Sequence, residues 1–217
     1  PQVNPKNHAP DPPSEAMSAS TSSRSKKDVG QPTLSEDGKL KCYQVHGRKF
    51  EVDAHYDVTK VVGYGAYGTV CAGVDTRTKV KVAIKKMAGV FDDLIDGKRI
   101  LREIKVLTSV CHPNILKLRT ALEPQDPAAF TDIYLVTTLL DADLNSIIRS
   151  KQRLIDDHVK YFMAQLLRAI KYIHSANIVH RDIKPSNLLV NANCDLVLCD
   201  FGLARTVDNN SLTGYVV

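Results

Sequence analysis

The chain has 217 residues, of which 43% are hydrophobic and 24% charged, a composition typical of a globular protein with one core or two lobes. The formal net charge of +5 is mild, and no basic run is interleaved with aromatic residues, so nucleic acid is not expected as a partner. The apolar runs are short and interrupted, so neither a membrane span nor a signal peptide is expected.

The five cysteines exclude two further classes of site. Their number is odd and none of them has C-x-x-C spacing, which argues against a zinc site and against a disulfide framework. The pattern instead predicts reduced thiols packed as small apolar groups, as in proteins of a reducing compartment.

Residues 1–41 are predicted to be a disordered tail. Proline, serine, asparagine and lysine dominate this stretch, and residues 10–13 and 18–23 show no apolar period. Such a segment cannot bury enough apolar surface to offset its chain entropy. From residue 42 to residue 52 apolar positions alternate, which predicts an edge hairpin that leads into the folded domain.

A glycine-rich stretch with the pattern G-x-G-x-x-G-x-V covers residues 63–70, at the end of a predicted strand over residues 56–64. Glycine lets the backbone turn sharply and come close to a phosphate. The pattern alone would also suit a dinucleotide-binding loop, but such a loop opens a helix. Here strands are predicted at residues 69–74 and 80–84, on either side of a turn, so the stretch belongs to an antiparallel sheet.

The V-A-I-K sequence at residues 82–85 places Lys85 on the next strand, where it is expected to pair with the α and β phosphates of a nucleotide. Strand alternation points Lys86 to the opposite face, where it is interpreted as a solvent lysine. The apolar period predicts a helix over residues 92–110. Glu103 lies on this helix, eighteen positions after Lys85, and is the candidate partner of that lysine.

Two further strands are predicted at residues 115–122 and 133–137, followed by a hinge at residues 138–141. A short helix begins at Ala142, and Asp156 is the predicted N-cap of a longer helix. The apolar stripe of the longer helix is interpreted as core packing, and it consists of Val159, Phe162, Met163, Leu166, Ile170 and Ile173.

Residues 180–187 carry the pattern H-R-D-x-K-x-x-N, and D-F-G begins eighteen positions after Asp182. Phosphoryl transfer requires a carboxylate that orients the attacking hydroxyl, ligands for Mg²⁺ and cations over the phosphates. Asp182 is the candidate base, and Lys184 is the candidate cation for the γ-phosphate. Asn187 and Asp200 supply the oxygen ligands that this hard metal ion prefers. The pattern therefore predicts an enzyme that transfers phosphoryl groups.

From about Phe50 to Val217 the sequence resembles a mitogen-activated protein kinase. Besides the motifs above, the resemblance rests on the runs at residues 65–68, 99–104, 184–187, 200–205 and 213–215. The last run has the Thr-x-Tyr form of that family's activation lip, and its central glycine resembles the stress-activated, osmosensing branch.

The resemblance implies an α+β, bilobal protein-kinase-like fold. A complete antiparallel-sheet amino-terminal lobe is expected at residues 42–140, and the first part of a mainly helical carboxyl-terminal lobe at residues 141–217. The family's domain continues past an A-P-E motif into further helices, so a chain ending at residue 217 is expected to be truncated and inactive by itself.

The resemblance also implies an ATP-dependent Ser/Thr kinase that uses Mg²⁺ and phosphorylates Ser-Pro or Thr-Pro sites of proteins in a signalling cascade. An upstream dual-specificity kinase and phosphatases are the implied partners, and cytoplasm and nucleus the implied location. Thr137 is the implied gatekeeper position. The implied ATP contacts besides Lys85 are Val62, Gly63, Tyr64, Gly65, Ala66, Tyr67, Gly68, Thr69, Val70, Ala83, Thr137, Thr138, Leu140 and Leu189.

Thr213 and Tyr215 of the activation lip are expected to be phosphorylated. Each phosphate adds about −1.5 to −2 charges at neutral pH, and such charge orders a loop only where cations receive it. The arginines expected to receive it are Arg99, Arg102, Arg181 and Arg205.

A second hypothesis is a non-catalytic kinase fragment that serves only as a nucleotide-binding or partner-binding module. Such proteins commonly lack one of the residues needed for metal binding or transfer. This chain has all the residues that catalysis needs, which favours the hypothesis of an enzyme. They are Lys85, Glu103, Asp182, Asn187 and Asp200.

Overall fold

The computed structural model describes residues 29–65 and 68–207. In the described residues the elements are β1 (Thr33–Leu34), β2 (Leu40–Val45), β3 (Arg48–Asp53), β4 (Tyr56–Gly65), β5 (Gly68–Asp75), β6 (Val80–Met87), α1 (Leu94–Ser109), β7 (Leu118–Ala121), β8 (Ile133–Thr138), β9 (Ala142–Asp143), α2 (Leu144–Arg149), α3 (Asp156–Ser175), β10 (Ile178–Val179), β11 (Leu188–Val190), β12 (Leu196–Leu198) and β13 (Arg205–Thr206). This order is the predicted α+β kinase-like architecture, with a sheet-based amino-terminal lobe followed by helical structure.

A five-stranded antiparallel sheet forms the centre of the amino-terminal lobe, in the order β4-β5-β6-β8-β7. Successive residues of β6 point to opposite faces of this sheet. Val82 and Ile84 are fully buried in the cluster that includes the β2–β3 hairpin, whereas Met87 packs with Ile100 of α1. Because Lys85 shares the face of Met87, the sheet presents this lysine to the helix.

The amino-terminal hairpin begins earlier than the predicted tail boundary at residue 41, so the tail prediction is wrong for residues 29–41. Val29 bridges Val45, the Gly30 amide donates to Gln44 O at 3.1 Å, and β1 pairs with β2. The edge of β2 offers unpaired backbone groups that even a polar segment can satisfy. Residues 1–28, the rest of the predicted tail, lie outside the described residues.

Helix α1 begins and ends within two residues of its predicted bounds. The Asp93 carboxylate caps it by accepting from the amides of Ile95 at 2.7 Å and Asp96 at 2.9 Å, which satisfies two donors that a helix start leaves without partners. Leu107 and Glu103 are its buried residues. A buried carboxylate is costly unless a cation or hydrogen bonds compensate it, so the burial of Glu103 requires a partner.

A small sheet in the order β12-β11-β9 adjoins the segments that carry the candidate catalytic and metal-binding residues. Ala142 and Asp143, predicted to begin a helix, form strand β9 instead, and Asp143 then caps α2 by accepting from the Ser146 amide at 2.8 Å. Strands β11 and β12 flank a tight turn, as predicted. They place Asn187 immediately before one strand and Asp200 two residues after the other.

Helix α3 holds β12 in place with one of its faces. Phe162, Leu166 and Ile173 are buried, as predicted. Between them the Gln165 side chain is also buried, and its Oε1 accepts from the Leu196 amide at 2.8 Å. A buried amide with satisfied hydrogen bonds fixes the position of the strand that ends two residues before Asp200, the candidate metal ligand.

The flank of α3 next to its buried row carries a second row of exposed apolar side chains. Val159 and Met163 are 49% and 48% exposed, so their predicted place in the core is wrong. Ile155 and Leu167 continue the row at four-residue spacing, and Ile155 is also the N-cap in place of the predicted Asp156. Two apolar rows lie side by side, and helical periodicity does not tell which one meets the core. Even with this row, the described residues contain no helix long and apolar enough to cross a membrane.

Candidate active site

Lys85 and Glu103 form the ion pair predicted from their motif positions. Lys85 Nζ lies 2.8 Å from Glu103 Oε2 and 3.1 Å from Oε1. Burial lowers the pKa of Lys85, but the Glu103 carboxylate more than offsets burial, and this pKa lies above its ordinary value. Lys85 is therefore positively charged at neutral pH, and its pair with Glu103 holds α1 against β6.

Hydrogen bonds centred on Asp182 organise the catalytic loop. Its Oδ2 accepts from Lys184 Nζ at 2.8 Å and from Asn187 Nδ2 at 2.9 Å. Burial raises the pKa of Asp182, but these two partners outweigh burial and hold the pKa below its ordinary value. Asp182 is therefore an ionised carboxylate at neutral pH, which is the state required to orient and accept the proton of a hydroxyl.

His180 supports this loop, a role that the motif alone did not assign. Its ring is 1% exposed, and Nδ1 accepts from the Asp182 amide at 3.2 Å. Nε2 is therefore the protonated nitrogen, and it donates to Cys199 O at 2.9 Å. Burial lowers the pKa of His180, which keeps the ring neutral. One side chain thus joins the catalytic loop to the residue before Asp200, and its place at the head of H-R-D was the available signal.

The candidate metal ligands Asn187 and Asp200 are brought together by neighbouring loops. The Cys199 amide donates to Asn187 O at 3.0 Å, directly beside Asp200. Asn187 Nδ2 is engaged by Asp182, which leaves Oδ1 as the side-chain atom for a metal ion. Mg²⁺ is commonly held by one or two carboxylates together with phosphates and waters, so these oxygen donors fit it. The described residues contain no group of three or more His, Cys, Asp and Glu side chains able to enclose a metal.

A cavity of about 280 Å³ lies between the glycine-rich strands, α1 and the catalytic loop. It juxtaposes cations and carboxylates, an arrangement that suits a phosphate chain accompanied by a metal ion. Of the residues predicted for the site, its lining includes Tyr64, Gly68, Thr69, Lys85, Arg99, Glu103, Asp182, Lys184 and Asp200.

The other described residues that were predicted to contact ATP do not line this cavity. Ala83 and Thr137 are register partners on β6 and β8, and Val70 of β5 is the partner of Lys85. The remaining predicted contacts lie as follows: Val62, Gly63 and Gly65 on β4, Thr138 at the end of β8, Leu140 just after it, and Leu189 on β11. Ala66 and Tyr67 fall outside the described residues. Contact of all these residues with ATP stays a prediction.

The arginines predicted to receive phosphate form a cluster around Arg102. Its guanidinium donates to the carbonyl of Gly202 in the D-F-G segment. Burial lowers the pKa of Arg102, and neighbouring cations lower it further, in the order Arg205, Arg181 and Arg99. The three guanidinium groups that lower the pKa of Arg102 would favour an anion among them.

Two features of this cluster were not visible in the sequence. Arg99 Nη1 already pairs with Asp96 Oδ1 at 3.0 Å, so this arginine has a competing partner on its own helix. Arg205 Nη1 donates to the carbonyl of Ala204 at 2.8 Å. The residues expected to carry the phosphates, Thr213 and Tyr215, fall outside the described residues.

Cys199 is expected to react slowly with alkylating reagents. Burial raises the pKa of its thiol to about 12, with Asp200 contributing further, and Sγ donates to Asn187 O at 3.3 Å. Because the thiolate is the nucleophile, the rate of iodoacetamide labelling should rise continuously with pH up to 10. Exposed Cys111 provides an internal comparison by peptide mass spectrometry, and a rate for Cys199 that levels off below pH 9 would contradict the assignment.

Comparison with known proteins agrees with this geometry. A model of the protein kinase domain matches residues 56–217. The chain is 53% identical over 190 residues to the mitogen-activated protein kinase homolog NTF6 of Nicotiana tabacum, covering 87% of this chain and 51% of that protein. It is 55% identical over 168 residues to mitogen-activated protein kinase 14 of Arabidopsis thaliana, covering 77% of this chain and 46% of that protein.

The chain thus spans about half the length of these relatives, 51% and 46% respectively. The matched region contains the Lys85–Glu103 pair, the Asp182 loop and Asp200. The kinase-domain match covers most of the chain. The chain belongs to the protein kinase family, and over most of its length its sequence is similar to mitogen-activated protein kinases.

Proposed function

We propose that the full-length protein is a MAP-kinase-type enzyme that transfers the γ-phosphoryl group of Mg·ATP to Ser or Thr of protein substrates, at sites followed by proline. The observation that carries this proposal is the closed Lys85–Glu103 pair, which lines one cavity together with Asp182 and Asp200. A pair at 2.8 Å between β6 and α1 is the arrangement that kinase catalysis requires.

Each side chain has a distinct task in this mechanism. Lys85 holds the α and β phosphates, and Glu103 fixes the direction of Lys85. Asn187 Oδ1 and the Asp200 carboxylate are the oxygens that would hold Mg²⁺, which when bound neutralises charge on the phosphates. The Asp182 carboxylate orients the substrate hydroxyl and accepts its proton, while Lys184, 2.8 Å from Asp182, places a cation beside the transferred group.

The family's regulation belongs to the same proposal. An upstream dual-specificity kinase would phosphorylate Thr213 and Tyr215, phosphatases would reverse this, and the protein would act in cytoplasm and nucleus. The similarity to MAP kinases and the arginine cluster around Arg102 support this regulation. Assignment to the stress-activated, osmosensing branch stays a prediction, which depends on Gly214 and the short loop before it, on Thr137 and on residues 142–145.

The test is a transfer assay with the full-length protein after treatment with an upstream dual-specificity kinase. We expect radiolabel from γ-labelled ATP on a Ser-Pro peptide, dependence on Mg²⁺, and at most slight labelling of the matched Ser-Ala peptide. Mg·ATP binding without transfer to either peptide would contradict the proposal that the protein is an enzyme, and it would favour a nucleotide-binding module. Equal labelling of both peptides would overturn the proline preference alone.

A further inference from the structure

Lys86, interpreted from the sequence as a solvent lysine, is largely buried. Its side chain is 13% exposed, and Nζ lies 2.8 Å from Asp132 Oδ2. The same Nζ donates to the backbone carbonyl of Lys49 at 2.6 Å and lies 5.5 Å from the centre of the Tyr134 ring. Strand alternation does point Lys86 away from the Lys85 face, but the hairpin covers the face to which it points.

The partners of Lys86 belong to separate parts of the amino-terminal lobe. Asp132 Oδ1 also accepts from the Gly89 amide at 3.2 Å, in the segment that connects β6 to α1. Tyr134 of β8 accepts from the Glu51 amide of β3 at 3.1 Å. The ammonium group therefore joins the hairpin, strand β8 and the start of the connection to α1.

The backbone of Lys86 also contacts the glycine-rich segment. At Gly68, where φ is +120°, an added Cβ would lie 1.9 Å from Lys86 O. No side chain fits in that space, so the glycine-rich strand lies directly on the backbone of Lys86. A shift of Lys86 would therefore move this strand together with Lys85, the preceding residue.

Burying an ammonium group is unfavourable unless ion pairs and hydrogen bonds compensate it. Burial lowers the pKa of Lys86, and the contacts with Asp132 and Tyr134 more than offset this, so the group stays charged. An exposed lysine such as Lys81, on the same strand, carries a charge without that cost. The contacts of Lys86 are therefore those of a group that holds the neighbouring elements in fixed positions.

We propose that Lys86 is a positioning residue, which fixes the end of β6 and the start of α1 and so sets the geometry of the Lys85–Glu103 pair. Lys86 lines part of the cavity, but its ammonium group is engaged by Asp132 and the Lys49 carbonyl, so we assign it no contact with phosphate or metal. It acts through Asp132 on the connection at Gly89, and through its backbone on the glycine-rich strand. This inference depends on the proposed nucleotide site, because its main readout is the binding of phosphates.

The test compares the affinities of the full-length protein for Mg·ATP and for adenosine, which lacks the phosphates. Lys86→Met should weaken Mg·ATP binding about tenfold or more, because small misplacements of a binding group have effects of this size. Adenosine binding should stay within about twofold of wild type. Lys81→Met is the matched control, and Lys86→Arg, which can keep the Asp132 pair, should restore most of the lost affinity.

If Lys86→Met weakened the binding of Mg·ATP and of adenosine equally, the proposal would be overturned, because equal losses indicate general destabilisation. Unchanged Mg·ATP binding would also overturn it. In a Glu103→Gln background Lys86→Met should weaken binding no further, and an additional loss would show that Lys86 does not act through the pair. Asp132→Asn removes the charge of the Lys86 partner and should weaken Mg·ATP binding in the same way, but to a smaller extent.

Hydrogen exchange without nucleotide separates this inference from the proposed function. Lys86→Met should speed amide exchange at residues 88–96, whereas Lys81→Met should not. If the wild-type protein failed to bind Mg·ATP, the proposed function would be wrong, yet the exchange result would still decide whether Lys86 positions α1. Unchanged exchange in Lys86→Met would overturn the inference.

Discussion

Replacing Asp182 with alanine in the full-length protein is expected to lower the rate of phosphoryl transfer by roughly 10²–10⁴-fold and to leave Mg·ATP binding near its wild-type value. The reason is that the Asp182 carboxylate accepts from Lys184 and Asn187 and is ionised, whereas the proposed phosphate contact is Lys85. Single-turnover transfer at saturating nucleotide, together with calorimetric binding, measures the two effects separately.

Asp200→Asn is the matched variant with the opposite expectation. Asp200 has a positive φ of 63°, a conformation that asparagine tolerates, so this substitution removes the charge with little backbone strain. Metal-dependent nucleotide binding should be lost while metal-independent binding stays. Near-normal turnover of Asp182→Ala with nucleotide bound would show that the base is assigned to the wrong residue.

Phosphorylation of Thr213 and Tyr215 is expected to raise activity steeply, and the double variant Arg102→Ala with Arg205→Ala should reduce that rise about a hundredfold or more. Each hydrogen bond to a charged group contributes about 1.5–3 kcal/mol. Losing two such bonds to the phosphate should therefore weaken the active arrangement of the lip about a hundredfold or more. Because Arg102 also donates to the Gly202 carbonyl, phosphate bound there would act on α1 and the D-F-G segment together.

The measurement combines mass spectrometry of both lip residues with transfer rates before and after treatment by an upstream dual-specificity kinase. Arg119→Ala, an exposed arginine on β7, is the matched control and should be activated normally. Mg·ATP binding by the double variant should stay near wild type. Full activation of the double variant would show that the arginine cluster does not receive the phosphate.

The sequence predicted which side chains meet in the site, because phosphate and Mg²⁺ accept few kinds of partner and so restrict the residues of the motifs. Lys85 and Glu103 are eighteen residues apart, and their meeting at 2.8 Å follows from placing one on a strand and the other on the helix that covers it. The Asp182 loop likewise has its hydrogen bonds among the residues that its motif names.

The sequence was less informative where one element covers another. Alternation gave the correct face for Lys86, but only the folded hairpin shows that this face is closed. The row containing Val159 and Met163 has the same helical period as the buried row, so the period could not separate them. The pairing of Val29 with Val45 depends on the free edge of β2, so it could not be predicted from the local sequence around Val29.

Two residues of the candidate active site have a left-handed backbone conformation, which affects how this protein would respond to selection for stability. Arg181 and Asp200, in the catalytic and metal-binding loops, have φ values of 70° and 63°. Such conformations cost about 1–3 kcal/mol each, against a total stability of about 5–15 kcal/mol for a typical domain. Selection for folding alone would favour glycine or asparagine at both positions. Variants chosen only for thermal tolerance would therefore tend to lose function first in these two loops, where activity and stability require different residues.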